Sequence, residues 1–403
     1  MDSLRLFVGQ VLAGELRRDV EGIRFCYSDG YVGPPVFLNW PVNGAMYHWS
    51  ALPAELSCLL PEGLQQAQWR ASKAADTSDW GLLAAVGADL PGLISALPSR
   101  SKSLPLGREA EGAKSLSRAR IRPQLNALPY VESELVEFNS TVGFAYSLAS
   151  RGANASAVYS RKKASFELVS TNGSYRLTLE PPESAEQVEN QLLTALLAQD
   201  AGLPVVTMGR VQTMDGRAVL WAERFDRSGA SNCQRIRVES ACQLLGQPTM
   251  AKYEGSVEVL AELIRQYCTS PKIQLMRLFH RVLFGWLAGD SGLHLKKWAF
   301  VQNARLIELS PAYGMMNYAI FGQDCVESAL SINGRHEGLD RGSLLDYFAK
   351  EVCGLNTRII DRVLNQLDAV CWEQRILSSG LSKASQQTYF ERLSERWRRL
   401  QGR

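Results

Sequence analysis

From residue 3 to 49 the chain reads as short apolar runs broken by turn residues. "LRLFVGQVLAGEL" and "IRFCYSDGYV" predict strands of a small sheet, with Gly14 and the Asp29-Gly30 pair as turn signals. "WSALPAELSCLLPEGLQQAQW" predicts a helix broken at Pro61, and "DWGLLAAVGADLPGLI" another that ends near Gly87. Together these make an N-terminal α+β unit over residues 1–97. Apolar patterning then stops: "PSRSKSLPLGREAEGAKSLSRARIR" is rich in Ser, Gly and basic residues and too long for an ordinary loop. Residues 98–135 are therefore a boundary, either a flexible linker or a basic strip facing acidic partners.

Patterning resumes as a small lobe over 136–230. "ASFELV" (164–169) and "YRLTLE" (175–180) predict a hairpin through "STNGS". "SAEQVENQLLTALLAQDAG" predicts a helix whose apolar face is Val188, Leu192, Leu193, Leu196 and Leu197, closed by Gly202. Two more strands flank the Asp215-Gly216 turn. Residues 231–403 form a larger, mainly helical lobe. "RVESACQLLG" and "SVEVLAELIRQYC" predict helices, and "PKIQLMRLFHRVLFGWLAG", apolar on nearly every side, predicts a buried central helix. A hairpin of "WAFV" and "RLIELS" follows the short loop after that helix. The terminal "YFERLSERWRRL" puts Phe390, Leu393, Trp397 and Leu400 on one stripe among four arginines, which suits a packed helix or a partner-binding one.

Composition narrows this picture only a little. With 403 residues and 46% apolar content the chain can bury a substantial core. Its 44 basic and 41 acidic side chains are near balance, so only local clustering would argue for nucleic acid. Eight cysteines without a CxxC pair and four scattered histidines give no metal signature. Buried free thiols in a reducing, cytoplasmic setting are the expectation. No signal peptide is expected from "MDSLRLFVGQ", and no window spans a membrane without charge, because Arg277, His280 and Arg281 interrupt the longest apolar helix.

Several strings in order along the chain resemble the HipA family, the kinase toxins of bacterial HipA–HipB toxin–antitoxin modules. "LLPEG" (59–63) and "DWGLLAAVGADLPGLI" (79–94) resemble its N-terminal domain. "VENQLLTALLAQDAGLPV" with "AERFDR" (222–227), "LGQPTMAKYEG" (245–255) and "IELSPAYGM" (307–315) continue the likeness. The resemblance implies an α+β fold: a two-lobed protein-kinase-like domain behind a small N-terminal α+β domain. It also implies serine or threonine phosphorylation of a translation-related target, with a DNA-binding antitoxin as restraint.

Carried onto this sequence, the family's catalytic groups are replaced one after another. The small-lobe lysine that would hold the ATP phosphates is Glu180, in "TLEPP". A like-charge contact at 4 Å costs about 4 kcal/mol even at an effective dielectric of 20; alternatively Glu180 points to solvent at a strand end. The helix acid that would pair with the lysine is kept as Glu189. The phosphate loop corresponds to "SRGANASAV" (150–158), where Gly152 is kept and the lysine position is Ser156. In "GDSGLHLKK" His294 and Lys296 align, but the general base is Gly292 and the metal-binding Asn is Lys297. Hydrogen cannot accept a proton, and an ammonium cannot coordinate Mg²⁺. The second metal-binding acid is Gly314. Asp290, two residues early, offers a rescue together with His294.

The expectation is therefore a HipA-like pseudokinase with little or no phosphoryl transfer, acting by binding an antitoxin-like or regulatory protein. No metal is expected, and no cofactor beyond ATP held without productive Mg²⁺, touched by Gly152, Ser156, Glu223 and Phe225. "AERFDR" reads either as a salt-bridge brace or as a nucleotide contact. The rivals are an active kinase toxin using Asp290 with His294, and a nucleic-acid-binding protein using the basic linker and the arginine-rich terminal helix.

Overall fold

The structure is a computed structural model. It describes residues 2–63, 66–67, 70, 76–100, 130–131, 154–160, 165–169, 171–181, 185–213, 216–228, 234–322 and 326–402. Most of the basic linker, Gly152 and the tip of the Asp215-Gly216 turn fall outside these residues. The chain divides into two compact units, one of Met1–Leu179 with Gly209–Thr249 and one of Glu180–Met208 with Met250–Arg403.

In the first unit, β1 (Asp2–Val8), β2 (Val11–Asp19), β3 (Gly22–Tyr27), β4 (Tyr47–Trp49) and β5 (Ile94–Pro98) form an antiparallel sheet in the order β4-β3-β2-β1-β5. Leu4, Leu6, Leu16 and Phe25 bury one face against Trp40, Trp80 and Leu83. Gly14 is not at a turn but inside β2, because a Cβ there would run into the carbonyl of Cys26 and the ring of Phe25. The helix Asp79–Val86 begins where predicted, with the Ser78 hydroxyl capping Gly81 N–H at 3.3 Å.

The same unit holds a closed barrel built from β6 (Tyr130–Val131), β7 (Asn154–Ser160), β8 (Ser165–Leu168), β9 (Tyr175–Leu179), β10 (Met208–Gln212) and β11 (Ala218–Glu223), in the order β10-β11-β9-β7-β8-β6. The predicted hairpin between 164–169 and 175–180 does not form, since β8 and β9 both pair with β7 instead. Phe166, Tyr175 and Trp221 pack inside as an aromatic cluster with ring centroids 5.2 to 5.9 Å apart.

"AERFDR" ties the barrel to residues of the N-terminal domain. Arg224 and Arg227 each reach Asp89, at 3.2 and 2.8 Å, and Asp226, at 3.0 and 2.6 Å, with all four side chains nearly sealed from solvent. Arg235 adds donors to the carbonyls of Leu90 (2.6 Å) and Ile94 (2.8 Å). Burial alone would raise the Asp89 carboxyl, but the three arginines overcome it and hold it at about 2. The motif thus braces, and it braces the first 97 residues to the barrel.

In the second unit the helix Gln187–Asp200 packs with helices of the C-terminal part. The central helix Pro271–Ala288 is buried on most sides and stops at Gly289, whose φ of +80° ends it. "RVESACQLLG" is not one helix: Arg237–Ser240 is a strand, and Ser240 with Gln243 forms a capping box that starts the short helix Ala241–Leu244 in the first unit. The terminal helix Lys383–Leu400 buries Tyr389, Leu393, Arg396 and Leu400, while Phe390 stays 37% exposed. Arg396 turns inward because its guanidinium donates to the carbonyl of Trp286 and lies over that ring.

Of the six described cysteines, Cys58, Cys242, Cys268 and Cys353 are buried free thiols, and Cys26 and Cys371 are exposed. Among the described residues no helix is long and apolar enough to cross a membrane.

Removing one member of a buried ion cluster leaves its partners uncompensated. Asp89→Ala is therefore expected to destabilise the protein by about 3–5 kcal/mol. Arg17→Ala, which breaks the exposed, solvent-screened Arg17–Glu15 pair, should cost far less. Urea unfolding of the two variants checks this, and equal small losses would contradict the brace.

Candidate functional site

The loop 289–298 is held in place by its neighbours. Asp290 N–H bonds the carbonyl of Gly285 at 2.8 Å, closing the central helix. Arg281, from within that helix, donates to the carbonyl of Lys297 at 2.9 Å and stacks its guanidinium 4.6 Å over Trp298. Tyr313 donates to the carbonyl of Lys296 at 2.9 Å, and Trp298 Nε1 to that of Leu293 at 3.1 Å. A short 3-10 turn, Leu295–Lys297, then leads into the antiparallel strands Ala299–Asn303 and Leu306–Leu309, as the hairpin prediction required.

Past the second strand, "SPAYGMMN" runs back alongside the loop. Ala312 bonds Pro204 and Val206 on the segment after helix Gln187–Asp200, at 2.7 and 3.0 Å. Asn190 of that helix exchanges two bonds with the backbone of Asn317, at 2.7 and 2.9 Å. One consequence is that Lys297 and Gly314, seventeen residues apart in sequence, meet. The Lys297 ammonium donates to the carbonyl of Gly314, and a Cβ at 314 would overlap that nitrogen. Gly314 itself has a φ of +59°, a conformation glycine adopts without cost.

Gly292 is also covered. A Cβ on it would collide with the ring of Tyr318. Both positions where the family carries an acid are thus occupied by a neighbour's side chain: the Tyr318 ring at 292 and the Lys297 ammonium at 314.

Asp290 and His294, the proposed rescue pair, are buried at 2% exposure each. Asp290 Oδ1 accepts the Gly292 N–H at 3.1 Å. Burial pushes the carboxyl up to about 6, against the opposing pull of Lys297 and Arg281. That value suits a general base. Its surroundings do not: Asp290 lines a small cavity of about 10 Å³ with Val282, Trp286, Leu293 and Trp298, which is room for about one water. His294 is driven well below its ordinary value by burial and by Lys297, Lys252 and Lys296, so it is neutral, with its ring edge-on to Tyr253 at 5.0 Å.

Glu180 is half-buried and has a structural partner. Its carboxylate accepts the Val188 N–H at 3.0 Å, in the first turn of helix Gln187–Asp200, where the residue at the helix start, Glu186, makes no side-chain cap. A carboxylate there is favoured by the partial positive charge of the helix N-terminus. Glu189, one turn on, lies against Gly380, so closely that a Cβ at 380 would come within 2.7 Å of its carboxylate. Ser156 sits fully buried inside β7 and accepts the Gly173 N–H at 3.0 Å. Glu223 ends β11 and Phe225 follows it, both half-buried.

The donor set does not fit Mg²⁺, which asks for hard oxygen ligands in octahedral array. Position 297 offers an ammonium, position 314 has no side chain, and the Gly314 carbonyl is engaged by that ammonium. Among the described residues no group of three or more His, Cys, Asp or Glu is placed to hold a metal. The glycines and Glu180 stand out in sequence as departures from a motif. Tyr318 and the Glu180 cap carried no sequence signal, since each depends on a contact made by the fold.

These elements define a protein of the kinase-like class preceded by a small α+β domain. Family comparison makes the assignment specific: the HipA N-terminal domain matches residues 4–97 and the HipA-like C-terminal domain residues 160–372. The chain belongs to the HipA family. It is similar to "Putative kinase Y4mE" of Sinorhizobium fredii, 24% identical over 339 residues that cover 80% of this chain and 79% of that protein. "Putative kinase Y4dM" of the same organism is 25% identical, covering 74% and 71%. Among solved structures it is similar to HipA of Shewanella oneidensis MR-1, determined with HipB and operator DNA. The TM-score is 0.73 at 19% identity, over 99% of this chain and 97% of that one.

A buried neutral histidine in the same unit sets a pH dependence. Burial lowers His280 to about 4, with its bond to the Ala201 backbone opposing weakly. The unfolded chain binds this proton first, so the stabilisation is complete above pH 6.5 and is lost as pH falls toward 4. At 1.36 kcal/mol per pH unit this amounts to about 3 kcal/mol. His280→Gln should flatten the decline in unfolding free energy between pH 6.5 and 4; an unchanged slope would contradict it.

Proposed function

We propose that this chain is a HipA-family pseudokinase that acts by protein binding, in a toxin–antitoxin or regulatory setting, with little or no phosphoryl transfer. The observation that carries the reading is the covering of two catalytic positions. Tyr318 lies where a carboxylate on residue 292 would have to project, and the Lys297 ammonium lies where one on residue 314 would. Loss of a base or of a charge-stabilising group costs about 10²–10⁴ in rate. Losses within one catalytic unit are not additive, yet here base, metal ligands and phosphate lysine are all gone.

Nucleotide, if held, is held without productive Mg²⁺. The partner class follows from the relative crystallised with HipB and operator DNA: an antitoxin-like protein is the occupant this scaffold suits. Direct nucleic-acid contact by the terminal helix has less support, because Arg396 is buried and Arg399 pairs with Glu327 at 2.5 Å. The rival kinase reading rests on Asp290, whose raised carboxyl would suit a base but whose enclosure would keep an acceptor hydroxyl away.

Purified protein with radiolabelled ATP and Mg²⁺ should show neither autophosphorylation nor transfer, and Mg²⁺–ATP should not raise its melting temperature above ATP alone. Size-exclusion chromatography with a HipB-type antitoxin from the same genome should give a stable complex without nucleotide. Phosphoryl transfer that disappears in Asp290→Asn would replace this reading with the kinase one.

A further inference from the structure

Two replacements that look independent in sequence are one feature in space. Lysine at 297 and glycine at 314 each remove a metal ligand, and the fold then sets the new ammonium against the backbone of the new glycine. The fit is reciprocal. Lys297 reaches the Gly314 carbonyl only because no side chain stands there, and its own backbone is pinned by Arg281 at 2.9 Å. A buried cation needs oxygen acceptors and a counter-charge. The Gly314 carbonyl is one, and the buried carboxylate of Asp290 lies close enough for attraction between the two.

We infer that the Lys297 ammonium is a built-in cation that replaces the divalent metal of the family's cleft, with Gly314 as the complementary change that makes room for it. This rests on the pseudokinase reading and deepens it, because it explains the loss of two ligands by a single device. It makes the loop independent of Mg²⁺: the positive charge that organises Asp290 and the Gly314 turn is covalently attached. Neither substitution alone should then restore a metal site. Lys297→Asn removes the cation but supplies no acid. Gly314→Asp places a carboxylate beside an ammonium that pairs with it. Aspartate tolerates the left-handed conformation at 314 better than most residues, so the double change has a site to occupy.

Mn²⁺ binding, followed by electron paramagnetic resonance and by melting temperature, tests this without relying on activity. The wild type and both single variants should show no saturable binding at millimolar Mn²⁺. The double variant Lys297→Asn/Gly314→Asp should bind at least about tenfold more tightly than wild type, at 1.4 kcal/mol per tenfold, and Mn²⁺ should raise its melting temperature. A folded double variant, verified by circular dichroism, that binds Mn²⁺ no better than wild type overturns the built-in cation. Should that variant not fold, the wild type alone decides: saturable Mn²⁺ binding abolished by Asp290→Asn overturns it equally, and its absence supports it. The pseudokinase reading fails separately, on phosphoryl transfer by the wild type.

Discussion

An ammonium taken out of water must be given acceptors and an opposite charge, or it destabilises the fold that buries it. Lys297 meets this demand at the Gly314 carbonyl and in the field of Asp290. The requirement shapes everything nearby. It keeps residue 314 a glycine, draws "SPAYGM" against the loop, and gives Asp290 a reason to be buried that has nothing to do with abstracting a proton. Arg281 and Tyr313, by holding the backbone of Lys296 and Lys297, deliver the ammonium to its acceptor.

The same economy appears at other altered positions. Glu180 would repel a phosphate if it faced one, yet here it caps the helix that carries Glu189 and Asn190. Gly292 has no side chain and so admits the Tyr318 ring, with which a Cβ would collide. Each residue that departs from the family's motif at these positions takes a packing or capping role in the fold. In the first unit, "AERFDR" shows the parallel case of polar residues kept for structure. Arg224, Arg227, Asp89 and Asp226 are buried together, with Arg235 half-buried beside them, and join the barrel to the N-terminal domain.

Local signals were sufficient where local physics decides. The central helix was legible because it is apolar all round and ends at a glycine with positive φ, and the hairpin after the loop because its strands are adjacent in sequence. Pairing across longer separations was not: β8 and β9 look like a hairpin, but β7 lies between them. The terminal helix turned its Tyr389–Arg396 stripe inward because a distant carbonyl, that of Trp286, attracts Arg396. The altered residues 180, 292, 297 and 314 could be named from the motif. Their new partners, Val188, Tyr318 and each other, could not, since each contact is made only when separate segments come together.

The most direct measurement is an anomalous difference map from crystals grown with Mn²⁺ and a non-hydrolysable ATP analogue. The account predicts the Lys297 ammonium against the Gly314 carbonyl and no manganese peak beside it. A manganese ion coordinated by Asp290 or by the Gly314 carbonyl, with Lys297 swung away, would contradict it.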